Sequence, residues 1–145
     1  MSLFDINISS SLIIFTFLLL FYFLIGRKIS AWTTISRLGF SSETPEVFLR
    51  HSKIYHFIPI ALFLVAVIPL VFTNIIIFIF GIIVLLSISF AVAILGRKEG
   101  VKTYRNILQE MLNEDKSLDD KEKEEIAQKL DKSDTQLLSG LRLFY

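Results

Sequence analysis

The stretch FIPIALFLVAVIPLVFTNIIIFIFGIIVLLSISFAVAILG, residues 57–96, decides the fold. It contains no Asp, Glu, Lys, Arg or His. Uncharged apolar runs beyond about 18 residues are membrane-spanning in character. As one straight helix it would reach about 60 Å at 1.5 Å per residue, roughly twice the hydrocarbon thickness of a bilayer. It must therefore fold back on itself. Thr73-Asn74 is the only polar pair near its middle, so the turn is placed there. Two spans result, about 55–73 and 75–96.

A further uncharged run extends from Ile6 to Gly26. It lacks the basic flank, short apolar core and small-residue cleavage site of a signal peptide. A retained span over about 9–28 is expected. The chain then reads as an all-α integral membrane protein with three spans in residues 1–96. A charged helical tail follows over 97–145. The composition agrees: 53% of the 145 residues are hydrophobic and 14 are Phe, a content that needs a bilayer or a large partner. There is no Cys, which excludes disulfides and thiolate metal sites.

Lys and Arg in short flanks set orientation. Residues 1–26 hold one charge, Asp5, and the 73–74 turn holds none. The 27–56 loop holds Arg27, Lys28, Arg37, Arg50 and Lys53 against Glu43 and Glu46, and more basic residues follow Gly96. The N-terminus and the turn are thus expected outside, and the loop and C-terminus in the cytoplasm. In a bacterium the membrane would be the inner one. Two spans end alike, Leu24-Ile25-Gly26-Arg27-Lys28 and Ile94-Leu95-Gly96-Arg97-Lys98. The simpler reading is two outward-to-inward helices meeting one interface with the same anchors, Arg27, Lys28, Arg97 and Lys98.

In the loop 29–54, Ile29, Trp32, Ile35 and Leu38 recur at about three-residue spacing. They predict a short helix lying in the interface, with Trp32 at headgroup level and Gly39 ending it. Thr44-Pro45-Glu46 predicts a capped helix start that runs straight into the second span. Pro59 and Pro69 lie within that span, and each removes a backbone donor. In the third span Ser89, Ala93 and Gly96 share a face and would let another helix approach closely.

Beyond Gly96, Val101, Tyr104, Leu108 and Met111 form an amphipathic stripe. Asn113 to Lys116 should break that helix. Ser117 with Asp120, and Ser133 with Gln136, resemble capping boxes. Leu137, Leu138, Leu141 and Phe144 gather on one side of the last turns, a surface suited to a protein partner. The run KEKEE, residues 121–125, suits a solvated helix face.

Little catalytic chemistry is encoded. His51 and His56, at i and i+5, do not share a helix face, so joint metal ligation is not expected. Asp115, Ser117 and Asp119 imitate a calcium loop, but its sixth position is Asp120 and its twelfth is Ile126. Asn7-Ile8-Ser9 matches a glycosylation sequon close to the membrane. The spans lack the ionisable side chains that mark pumps and proton relays. The leading expectation is a non-enzymatic accessory or assembly subunit of a larger membrane complex. Its partners would be the lipid bilayer and other membrane subunits or itself, with no cofactor, nucleic acid or small-molecule substrate. The alternative is a self-assembling pore with a holin-like layout, lined by hydroxyls such as Thr73, Asn74, Ser87 and Ser89. A weaker third reading is a lipid-facing enzyme using His51 or His56.

Overall fold

The computed structural model describes residues 3–39, 44–114 and 119–139. Six helices follow in order: α1 Leu3–Arg37, α2 Glu46–Arg50, α3 Ser52–Val71, α4 Ile75–Glu114, α5 Asp120–Asp131 and α6 Asp134–Ser139. No strand occurs among the described residues. Three helices, α1, α3 and α4, are long and apolar enough to cross a membrane. Their outer faces carry exposed Phe17, Phe57, Phe80 and Phe90, each at least 60% accessible. Water does not tolerate so continuous an apolar surface, whereas lipid does.

The reversal between α3 and α4 falls at Phe72–Asn74, where the polar pair places it. Thr73 Oγ1 donates to the Leu70 carbonyl at 2.6 Å, satisfying an acceptor at the end of α3. Asn74 Oδ1 accepts the Ile77 amide at 2.9 Å and so caps α4. No described residue other than glycine has a positive φ. Asn74 therefore acts as an N-cap and not as a left-handed turn residue.

Helix ends depart from expectation in two places. The predicted interfacial helix does not exist as a separate element, because α1 runs unbroken through Ile29 to Arg37. Ile29, Ala31, Thr34 and Ile35 are buried. They extend the contact of α1 with its neighbours beyond the apolar span instead of lying along a surface. Gly39 follows the end of α1 with φ +100°, a conformation that favours glycine. The helix beginning near Thr44 starts one residue late, with Pro45 in the cap position. It also stops at His51, so α2 does not run into α3. Helix α4 ends at Glu114, within the Asn113–Lys116 stretch expected to break it. Its 40 residues carry the third span and the first tail helix in one piece, about 60 Å long at 1.5 Å per residue.

α3 and α4 fold back on each other at the turn but meet closely only near it. There Leu70, fully buried, lies over Gly81, and a Cβ on that glycine would fall 2.6 Å from a Leu70 methyl. Elsewhere α3 packs mainly against α1. Those two helices are antiparallel: Tyr22 meets Phe63 at a ring separation of 6.2 Å, and Trp32, further along α1, meets Tyr55, earlier in α3, at 6.4 Å. Phe15, Tyr22, Ala66, Leu70, Leu85 and Val92 form the shared core of the three helices.

A second core lies beyond the spans. Tyr104, Leu108 and Ile126 form it, with Leu38, Met111, Leu112, Leu130 and Leu137 packed around them. It joins the ends of α1 and α4 to α5 and α6. The cap of α5 is Asp119 with Glu122, which form a capping box. Ser117, the expected cap, lies outside the described residues. The Ser133–Gln136 box is present as read: the Ser133 amide donates to Gln136 Oε1 at 2.9 Å and the Gln136 amide to Ser133 Oγ at 3.3 Å. Arg105 ties the fold-back together. It donates to the Leu130 and Lys132 carbonyls at 3.0 and 2.7 Å and pairs with Asp134 at 2.7 Å. A cation at the C-terminal end of α5 satisfies carbonyls that have no helical donor.

Candidate functional site

The small residues expected on one face of α4 meet small residues on α1. Gly26 lies opposite Val92, Ser30 opposite Gly96, and Thr34 opposite Gly100. Four residues forward on one helix accompany four forward on the other, so α1 and α4 run in the same direction. The backbones touch. A Cβ on Gly96 would lie 2.7 Å from the Arg27 carbonyl oxygen, and one on Gly100 would lie 2.9 Å from the Ala31 carbonyl. Ser89 and Ala93 join the same seam. Tyr22 Oη donates to Ser89 Oγ at 2.8 Å, and Ser30 Oγ reaches the Ala93 carbonyl at 3.4 Å. Small residues and interhelical hydroxyl contacts are the means by which helices associate where no hydrophobic effect operates.

The paired Gly-Arg-Lys segments sit at the same end of this parallel pair, as two helices meeting one interface would place them. They are offset by one turn. Glu99 closes the offset: its carboxylate lies 3.0 Å from Arg27 Nε and 2.9 Å from Lys28 Nζ. The Arg27 N–H is not aimed at the oxygen, so that contact is an ion pair without a hydrogen bond. The Arg27 guanidinium also lies 5.9 Å from the centre of the Phe23 ring. All three charged groups are partly solvated, and the network contributes about 1 kcal/mol at most. Two of the four expected anchors, Arg27 and Lys28, are therefore bound to α4. Lys98 is exposed and Arg97 half-buried.

Trp32 is held in an aromatic cluster, 5.6 Å from Phe48 and 6.4 Å from Tyr55. Phe48 also meets Tyr55 at 5.3 Å and His56 at 6.0 Å. Fully buried Phe48 thus pins α2 into the corner between α1 and α3. His51 is exposed, whereas His56 is half-buried in this corner.

Because α3 leans on α1, its first half stands away from α4. A groove of about 640 Å³ opens between them. The volume lies in the range of sites that hold a small ligand. Tyr22, Gly26, Ile29, Ser30, Thr33, Thr34 and Arg37 of α1 form its floor. Lys53, His56, Phe57, Pro59 and Ile60 of α3 form one wall, and Ser89, Val92, Ala93 and Arg97 of α4 the other. Arg37, Lys53 and Arg97 stand toward one end, interleaved with Thr33 and Thr34, and the hydrogen-bonded Tyr22–Ser89 pair lies toward the other. No Asp or Glu is among the described residues that line it.

The hydroxyls considered as pore lining are directed to nearby protein groups. Thr73 donates to Leu70, Ser87 to the Ile83 carbonyl at 2.8 Å, and Ser89 to the Leu85 carbonyl at 2.8 Å. Of the four leucine and phenylalanine positions expected to bind a partner, Leu137 packs against the second core and Leu138 is half-buried. Leu141 and Phe144 lie outside the described residues.

Several residues of this site were not singled out in sequence: Gly100, Ser30 and Thr34 in the seam and Glu99 as counter-charge; Arg37 and Lys53 were read only as basic residues that set orientation. A signal for the seam exists in the four-residue recurrence Gly26-Ser30-Thr34. None exists for the groove, whose residues come from three helices. No protein-family model, curated protein or solved structure matches the chain.

Proposed function

We propose that the chain is a non-enzymatic accessory or assembly subunit of a larger membrane complex. One observation carries the reading. Helix α4 passes without a break from the apolar bundle into a second core built with α5 and α6. The bundle and this charged end are joined by a continuous rod and held again by Leu38 at the end of α1. Such a strut suits a part that fixes one component relative to another. In the proposed orientation the N-terminus and the Phe72–Asn74 turn are outside, and α5 and α6 are cytoplasmic. The Lys and Arg asymmetry supports it.

Orientation is tested by single cysteines at Ser2, Asn74 and Ser139 in this Cys-free chain. An impermeant thiol reagent applied outside should modify the first two and spare the third. Labelling of Asn74→Cys together with Ser139→Cys from one side contradicts a three-span path. The assembly reading is tested by extraction in a mild detergent and determination of what copurifies. A defined complex with other membrane subunits is expected. A ring of this chain alone that also makes vesicles leak would replace the reading with the self-assembling pore.

A further inference from the structure

We infer, on the reading of α1, α3 and α4 as spans, that the short helix α2 is the element that rests in the headgroup layer of the bilayer. Its occupant is lipid, met through the apolar flanks Val47 and Leu49.

The contacts of α2 fix its height. Phe48 lies 5.6 Å from Trp32 on α1, and 5.3 and 6.0 Å from Tyr55 and His56 on α3. Ser30 stands opposite Gly96 and Thr34 opposite Gly100, so Trp32 is level with Lys98. Lys98 is exposed. Glu99 beside it pairs with Arg27 and Lys28, both of which start lower on α1. Long cationic side chains reach along apolar surface in this way to bring their charge to water. The outer apolar face of α3 begins at the same height, with exposed Ile54 and Phe57. An aromatic cluster, basic side chains and the edge of an apolar surface thus share one level. That is the composition of a membrane–water interface.

The faces of α2 suit that level. Phe48 is 2% accessible and turns inward. Successive helical residues are about 100° apart, so Val47 and Leu49 fall on the two flanks and Glu46 and Arg50 on the outer side. Val47 is 58% accessible and Leu49 37%. Arg50 Nη2 lies 3.6 Å from Glu46 Oε1 on the exposed side. Helices with apolar residues beside a charged face lie in the interface plane. His51, with φ −123° and ψ 30°, interrupts the helical path, so α2 need not follow the axis of α3. A protein partner fits less well. Two side chains on a five-residue helix fall far short of the roughly 800 Å² that each side gives to a specific interface. The apolar face next along the chain, Ile54 and Phe57, is one that a spanning α3 turns to lipid.

Full chains with a nitroxide on Val47→Cys, Leu49→Cys, Ile83→Cys or Lys121→Cys, in phosphatidylcholine vesicles, test this by the access of oxygen and of a water-soluble nickel chelate. Ile83, on the exposed face of α4, should favour oxygen, and Lys121, on α5, nickel. At least one of Val47 and Leu49 should fall between them, with nickel access several-fold below Lys121 and oxygen access several-fold below Ile83. Nickel access at both α2 sites equal to that at Lys121 overturns the inference while Ile83 still reports a span. Screening of both α2 sites from both reagents also overturns it, because protein then covers α2. Water-like access at Ile83 overturns the spans and the inference together. Trp32, the only tryptophan, reports the level in the unsubstituted chain. A lipid nitroxide near the headgroup should quench its fluorescence several-fold more than one near the chain end, and equal or reversed quenching contradicts the inference.

Discussion

Gly96→Ile should remove the folded bundle. A Cβ at this position would lie 2.7 Å from the Arg27 carbonyl oxygen and 2.7 Å from Ser30 Oγ. Real Cβ atoms do not approach backbone so closely, and the carbonyl belongs to a helix that cannot bend aside. The helices must separate, and separation breaks the contacts of Thr34 with Gly100 and of Tyr22 with Ser89 along the same seam. Overpacking a core costs about 1–3 kcal/mol when side chains can adjust. Here backbone meets backbone, so the loss should reach at least the upper end, about 3 kcal/mol. Unfolding by sodium dodecyl sulfate in mixed micelles, followed by circular dichroism, reads it. Ile83→Ala, on the exposed face of α4, should change stability by less than about 0.5 kcal/mol. Equal stability of Gly96→Ile and the parent protein would mean that α1 and α4 do not touch here.

Leu108→Ala should release α5 and α6 while the spans stay folded. Leu108 is 1% exposed at the centre of the second core, between Tyr104 and Ile126. Truncating a buried leucine costs about 2–5 kcal/mol. The second core is small, so this is a large fraction of what holds α5 down. A loss of only about 2 kcal/mol raises amide exchange roughly 30-fold, since 1.4 kcal/mol is tenfold. Hydrogen exchange of Glu122 to Asp131 should accelerate by at least that factor. Ala66 to Leu70, in the core of the spans, should be unaffected. Exchange unchanged in α5 would show that Arg105 and the capping boxes hold it without the apolar cluster.

The three helices long and apolar enough to cross a membrane were legible because exclusion of charge is an all-or-none signal over some twenty residues. The turn was legible for the same reason, since Thr73-Asn74 is the only polar pair in the middle of an apolar run. Helix ends were not. Residues 97–114 continue their helix mainly with good helix formers, and residues 29–37, though rich in Ser, Thr, Ile and Trp, hold no Pro or Gly to end theirs; a change from apolar to polar does not stop a helix. Reading that change as a boundary produced an interfacial helix where α1 simply continues. Ser89, Ala93 and Gly96 were visible as a face, but their partners were not. Gly26, Ser30 and Thr34 lie far away in sequence, and only packing brings them into register. The groove is harder still. It arises from the preference of α3 for α1 over α4, a difference between two apolar surfaces that hydropathy does not distinguish.

The parallel seam between α1 and α4 underlies the rest: it positions Glu99 and joins the floor of the groove to one of its walls. Cysteine pairs test it directly in a chain that has none. Ser30→Cys with Ala93→Cys should form a disulfide readily in membranes, because Ser30 Oγ lies 3.4 Å from the Ala93 carbonyl. Thr16→Cys with Lys102→Cys, which could meet only if the two helices ran in opposite directions, should not. Cross-linking of the second pair and not the first would contradict the arrangement.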